Sequence, residues 1–238
     1  MAEEFGGDLT GAEFWGADMR GARFRDVNLT DVKISHAWLV DFEVDAFIDR
    51  MVVNGVDVTA FVNEHDRWYP LRAVLRVTEP EDMRVGWAAF GDAWATMLGR
   101  VRQLPDAAAH ESVGGQWSFV QTLRHLVFAM DKWFTAPLLG GAFHAVGLVD
   151  SGSTGVEWPN VDRDAAPSLA DVLAVREEQA ARMSAYLAAA TKDDLDRTVD
   201  IVDAGPHRVR ECISTVLEEE FWHHRYADRD LGRIETEI

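Results

Sequence analysis

Residues 208–233 read RVRECISTVLEEEFWHHRYADRDLGR. Stepped at 100° per residue from Glu220, the residues Val209, Ile213, Val216, Leu217, Ala227 and Leu231 all fall within about 60° of it. That stripe predicts a long amphipathic helix with one face against a core. Two polar groups interrupt the stripe. Glu220 sits in it, and His224 lies about 40° away, one turn further on. Glu218, Trp222 and Arg225 point the other way. Glu219 lies to the side, and His223 sits at the edge of the stripe. A buried ionised carboxylate is costly unless it is paired or coordinates a metal. Positions i and i+4 have Cβ atoms about 5–6 Å apart, so Glu220 and His224 can reach one ion. A core Glu–His hydrogen bond, or a salt bridge from Glu220 to Arg176, would satisfy the same carboxylate.

Three more helices precede this one. Residues 81–104 carry Val85, Phe90, Trp94, Met97, Leu98 and Val101 at helical spacing. Ser118 and Gln121 stand at capping-box spacing and start a second helix. It runs through Leu123, Val127, Met130 and Phe134 and is expected to end before Pro137. A third spans Ser168 to about Ala190. Residues 137–167, rich in Gly and Pro, are too long for an ordinary bundle loop, and such segments often serve as lids or binding loops. Four amphipathic helices of this length predict a mainly α chain, a four-helix bundle with one long crossover after helix 2.

The N-terminus follows another rule. From Gly7 it divides into fives: GDLTG, AEFWG, ADMRG, ARFRD, VNLTD, VKISH, AWLVD, FEVDA. The third position reads Leu9, Phe14, Met19, Phe24, Leu29, Ile34, Leu39 and Val44. A period of five is neither helical nor a simple strand alternation. It resembles the pentapeptide-repeat family, which implies a short right-handed quadrilateral β-helix with the third position facing inward. Eight repeats make about two coils on that geometry. So short a solenoid must lean on a neighbour, either the bundle or another subunit in a homodimer. Its third-position side chains are expected to be buried. Beyond it, Asn54-Gly55 between Met51-Val52-Val53 and Val56-Asp57-Val58 signals a hairpin. The domains expected are a β-rich cap over 1–70 and the bundle over 71–238.

The chain has 238 residues and a formal charge of -18. Such a balance argues against nucleic acid and against anionic membrane as direct partners, because both need clustered cations. No stretch reads as a membrane span. The single cysteine, Cys212, excludes a disulfide framework, and a cytoplasmic setting is the default expectation. With no base nearby in sequence, Cys212 reads as a small buried residue rather than a nucleophile.

A metal held by Glu220 and His224 needs a third ligand, and the second helix offers His125. Its phase, about 200° from the Leu123/Val127/Met130 stripe, suits a surface histidine or one facing a groove closed by the fourth helix. Trp117-Ser118-x-x-Gln121-Thr122-Leu123-Arg124-His125-Leu126 followed by Glu220-x-x-x-His224-Arg225 resembles the DinB/YfiT-like superfamily. The variant closest in pattern is that of the mycothiol-dependent maleylpyruvate isomerases, with Glu first in the final pair. The resemblance covers about residues 80–234. It implies a four-helix bundle holding a divalent metal, zinc or nickel foremost, on His125, Glu220 and His224. It further implies an enzyme, a transferase or isomerase using mycothiol or another low-molecular-weight thiol on a small-molecule substrate. Three N/O ligands with open positions suit a catalytic rather than a structural ion. Arg176, on the apolar stripe of the third helix, is a candidate to bind an anionic substrate or cofactor, to pair with Glu220, or to pack as a snorkelling side chain. His144 and Trp158 are candidates to close over the site from the long loop. The alternative is a non-catalytic protein-binding module with an acidic cap, since pentapeptide-repeat proteins include DNA mimics that bind gyrase. Residues 1–70 carry fourteen acidic and six basic residues, but the remainder is acidic too.

Overall fold

The computed structural model describes residues 5–25 and 27–237; Met1–Glu4, Asp26 and Ile238 lie outside the described residues. The chain divides into two units, Met1–Ala46 and Phe47–Ile238.

In the first unit the backbone turns once every five residues. Gly11, Gly16, Gly21, Asp31, His36 and Asp41 all have positive φ, between 52° and 79°. These are the fifth positions of successive repeats. Glycine takes that conformation without a Cβ clash, and Asp and His are among the residues that tolerate it best. Turn hydrogen bonds from Ala12 to Leu9, Ala22 to Met19 and Val32 to Leu29 close alternate corners. The expected burial of the third-position side chains is not found. Their exposures run from 41% at Met19 to 65% at Phe14. In a stacked coil an inward residue is covered by rings above and below it, and two coils leave every ring with at most one neighbour.

The second unit opens with a hairpin of β1 (Val52–Val53) and β2 (Val56–Asp57), turned by Asn54 and Gly55 with φ of 51° and 83°. Two short helices follow, α1 (Thr59–His65) and α2 (Tyr69–Arg72). This segment belongs with the bundle, so the boundary falls after Ala46 and not at 70. The cause is apolar contact: Trp68, Leu71 and Val74 pack on the bundle core. Gly86 lets the chain approach so closely that a Cβ there would stand 2.9 Å from that of Val74.

The bundle consists of α3 (Pro80–Val101), α4 (Phe119–Met130), α6 (Leu169–Ala189) and α8 (Val209–Glu237). Helices α3 and α4 each contact both α6 and α8. The expected caps are present: Ser118 Oγ accepts from Gln121 N, and the Gln121 side chain accepts from Ser118 N. Ser168 and Asp171 do the same for α6. The core forms two main clusters, one around Phe90, Phe134, Met183 and Phe221 and the other around Trp94, Leu123, Leu126 and Leu231.

Three features depart from expectation. The second helix does not stop before Pro137 but widens into a π-helical turn over Asp131–Thr135 and continues as α5 (Ala136–Leu139). Proline lacks the N–H for an interior helical bond, and a widened turn absorbs the mismatch. Gly140, at φ 66°, then ends the helix. Between α6 and α8 the chain forms α7 (Lys192–Asp196) and a hairpin of β3 (Thr198–Ile201) and β4 (Gly205–Arg208). Helix α4 is buried nearly all round, because the 140–168 crossover covers the face that the other helices leave open. That cover is bonded down: Arg124 Nε donates to the Val146 carbonyl, and Leu148 N donates to Arg124 O. No helix of the described residues is long and apolar enough to cross a membrane.

Candidate metal centre

His125 points from α4 toward α8, where it meets Glu219 and His223. One ligand atom from each of the three lies within 4.8 Å of the others. Glu219 Oε2 stands 3.3 Å from His125 Nε2 and 3.1 Å from His223 Nε2. The i, i+4 spacing of Glu219 and His223 brings both to one point, as it would for any such pair on a helix.

The hydrogen bond on the far side of His125 decides what this arrangement can do. His125 Nδ1 lies 3.1 Å from the Leu148 carbonyl of the crossover. A carbonyl only accepts, so Nδ1 carries the proton and donates. A neutral His125 then turns the Nε2 lone pair toward the Glu219 carboxylate. Two acceptors face each other, and a positive charge between them, a proton or a metal ion, resolves the conflict. Backbone support of this kind fixes the tautomer of metal-binding histidines. Burial raises the pKa of Glu219, but hydrogen bonds and charge from His125 and His223 in their protonated forms outweigh it and hold the carboxyl at about 2. A metal ion held by the three groups would take the place of those protons and keep the carboxylate ionised.

The cluster opens into a cleft of about 480 Å³. Trp117 packs its ring 4.8 Å from that of His125 and 5.8 Å from that of His223. Trp117, Phe128 and Trp133 supply apolar walls, and Asp150, Gly152 and Ser153 bring the crossover to the rim.

His125 is where the sequence placed it, but Glu220 and His224 do not join it. Glu220 is 2% exposed and fully engaged. Arg176 donates to it twice, Nη1 to Oε1 at 2.6 Å and Nη2 to Oε2 at 2.8 Å, and Trp94 Nε1 donates to Oε2 at 2.7 Å. The pairing alternative for this carboxylate is the one adopted, and Arg176 is committed to Glu220 and does not line the cleft. His224 lies between Trp68 and Trp94, with neither ring nitrogen hydrogen-bonded among the described residues. Burial drives its pKa below the ordinary value, against the opposing pull of the Ala93 backbone, Asp228 and Glu220. The stripe of α8 faces the bundle core, whereas the groove beside α4 meets the edge of that stripe. The Glu-x-x-x-His pair that meets His125 is thus 219/223, one residue earlier than 220/224.

Two other candidates act in packing. His144 donates from its backbone N and ring Nδ1 to the buried Asp131, which also accepts from Gln179 Nε2. Trp158 is buried against Phe128 and Phe143, its Nε1 donating to the Ser153 carbonyl. Cys212 is fully buried, and burial first, then the neighbouring Glu211 charge, pushes its thiol up to about 11.

A family model described as the DinB superfamily matches residues 89–227, a span that includes all three members of the cluster. A pentapeptide-repeat model matches eight copies over residues 8–41. Comparison with curated proteins and with solved structures returned no significant match.

Proposed function

The chain belongs to the DinB superfamily, whose model covers more than half of it, and from this premise we propose that it is a divalent-metal-dependent enzyme with His125, Glu219 and His223 as ligands. One observation carries the reading: an ionised carboxylate between two imidazoles, one with its far nitrogen tied to a carbonyl, at the floor of an apolar-walled cleft. Two nitrogens and one oxygen suit zinc or nickel and leave positions for a ligand. A bound divalent cation there would supply Lewis acidity, lowering the pKa of a thiol or water. The protein's part is to orient the donors. Leu148 fixes the His125 tautomer, and Trp117 shields both imidazoles on one side.

The nucleophile we assign is a small-molecule thiol of the mycothiol type, in a transferase or isomerase reaction. The only cysteine in the chain is buried, with its thiol raised to about 11, so in this reading the chain itself does not supply the thiol. Elemental analysis of untagged protein tests the metal reading, with about one equivalent expected. A screen of thiols and electrophiles with the loaded protein tests the rest. Metal-free protein that takes up no zinc on titration would sink both.

A second reading attaches to the N-terminal unit, where Trp15 and Trp38 stand 94% and 95% exposed beside the half-exposed apolar ladder. A gyrase-type partner for this surface would appear as inhibition of DNA supercoiling by the purified chain, and the enzyme reading expects none.

A further inference from the structure

Residues 144–148 of the crossover lie along α4 as a strap, and the strap ends on the cluster. His144 donates from its backbone N to Asp131 Oδ2 at 2.7 Å and from ring Nδ1 to Oδ1 at 3.0 Å. Arg124 Nε donates to the Val146 carbonyl at 2.8 Å, and Leu148 N to the Arg124 carbonyl at 3.0 Å. The Leu148 carbonyl in turn accepts from His125 Nδ1 at 3.1 Å. Gly147 lets the strap lie against the helix, since a Cβ there would stand 3.4 Å from that of Phe128. Asp131, the first residue of the π-helical turn, is fully buried, and Gln179 Nε2 of α6 donates to it at 2.8 Å. A carboxylate so deeply buried is costly and persists where its lone pairs are engaged. An amide in its place would offer a single acceptor oxygen and turn an NH2 group toward these donors. Single π-helical turns recur at functional sites.

We propose that Asp131 is a positioning residue for the centre: it anchors the His144 end of the strap, and the strap sets the Leu148 carbonyl on His125. The proposal rests on the metal reading above and extends it to a residue outside the three ligands. A neutral imidazole carries one N–H, and two acceptors compete for it here. The Leu148 carbonyl draws the proton to Nδ1, which leaves the Nε2 lone pair for an ion. Glu219 Oε2, 3.3 Å from Nε2, draws it to Nε2, which closes that nitrogen to an ion. A carboxylate is the stronger acceptor, so the carbonyl wins the proton only while the strap keeps it close. Arg124 fastens the middle of the strap through two backbone carbonyls. Asp131 fastens its end with a carboxylate that takes two N–H groups of one residue, the stronger kind of bond.

The test uses the full-length protein. Zinc affinity is read by titration of the metal-stripped form, and solvent exchange of the His125 Nδ1–H by imidazole NMR of the zinc-loaded form. Losing an outer hydrogen-bond partner of a metal-binding histidine typically costs about 10–100-fold in metal affinity; Asp131 acts one link further out, so about tenfold is expected for Asp131→Asn. The His125 Nδ1–H should also exchange faster in that variant. His144→Leu should act in the same direction, and His144→Asn, whose amide can donate from the place of Nδ1, should keep wild-type values. Trp158→Phe removes a different fastening of the crossover, the bond to the Ser153 carbonyl. It should lower the melting temperature and leave both readings unchanged. Wild-type affinity and exchange in Asp131→Asn and His144→Leu overturn the positioning role and leave the metal reading standing. So does a Trp158→Phe protein that loses zinc as far as Asp131→Asn does. If Asp131→Asn does not fold, the two His144 variants decide. A wild type that takes up no zinc overturns both readings.

Discussion

Replacing Arg176 by Met should be among the most damaging single changes in the bundle. Glu220 is 2% exposed, and Arg176 provides two of its three hydrogen bonds, at 2.6 Å and 2.8 Å. Met keeps most of the aliphatic volume and removes the charge, leaving a buried carboxylate with only Trp94 Nε1 as donor. Breaking a buried pair from one side costs about 3–5 kcal/mol. The double variant Arg176→Met/Glu220→Gln should recover about half of that loss. The Gln carbonyl still accepts from Trp94, and no charge remains to desolvate. Urea denaturation of the wild type, both singles and the double closes the cycle. A cost under about 1 kcal/mol for Arg176→Met, or strictly additive losses in the double, would show that the pair does not hold α6 to α8 as described.

Other expectations follow from the same contacts. Cys212, fully buried with its thiol raised to about 11, should resist a thiol-labelling reagent at neutral pH and react only on unfolding. His224 has a depressed pKa, so the unfolded chain binds the extra proton first. Its contribution is intact above the unfolded value of about 6.5 and is lost as pH falls through the window down to the folded pKa. His224→Phe should therefore flatten the pH dependence of the melting temperature in that window, and an unchanged slope would contradict a buried ring with a depressed pKa.

Much of the fold was legible because its signals are local. Ser118/Gln121 and Asn54-Gly55 specify their cap and turn within four residues. The features that escaped are set by context. The π turn before Pro137 depends on how the widened helix packs, and the Ile201–Gly205 turn, with its Asp203 and Gly205 at positive φ, lies in a stretch to which no element was assigned. At the site, the sequence offered Glu-x-x-x-His twice, in adjacent registers. Helical phase correctly identified Glu220 and His224 as the buried pair. Arg176 supplies the cation that a buried Glu220 requires, and the cluster that meets His125 is formed by Glu219 and His223. The overlooked signal was on the other helix: His125 lies off its own apolar stripe, so its partners belong at the edge of the stripe on α8.

Zinc titration calorimetry on metal-stripped, untagged protein separates the two registers. Glu219→Gln and His223→Ala should each abolish binding at the wild-type site, as should His125→Ala, because each removes one of the three proposed ligands. Glu220→Gln and His224→Phe should still bind one equivalent. The opposite pattern, with zinc lost on changing Glu220 and His224 and retained on changing Glu219 and His223, would contradict the assignment of the centre.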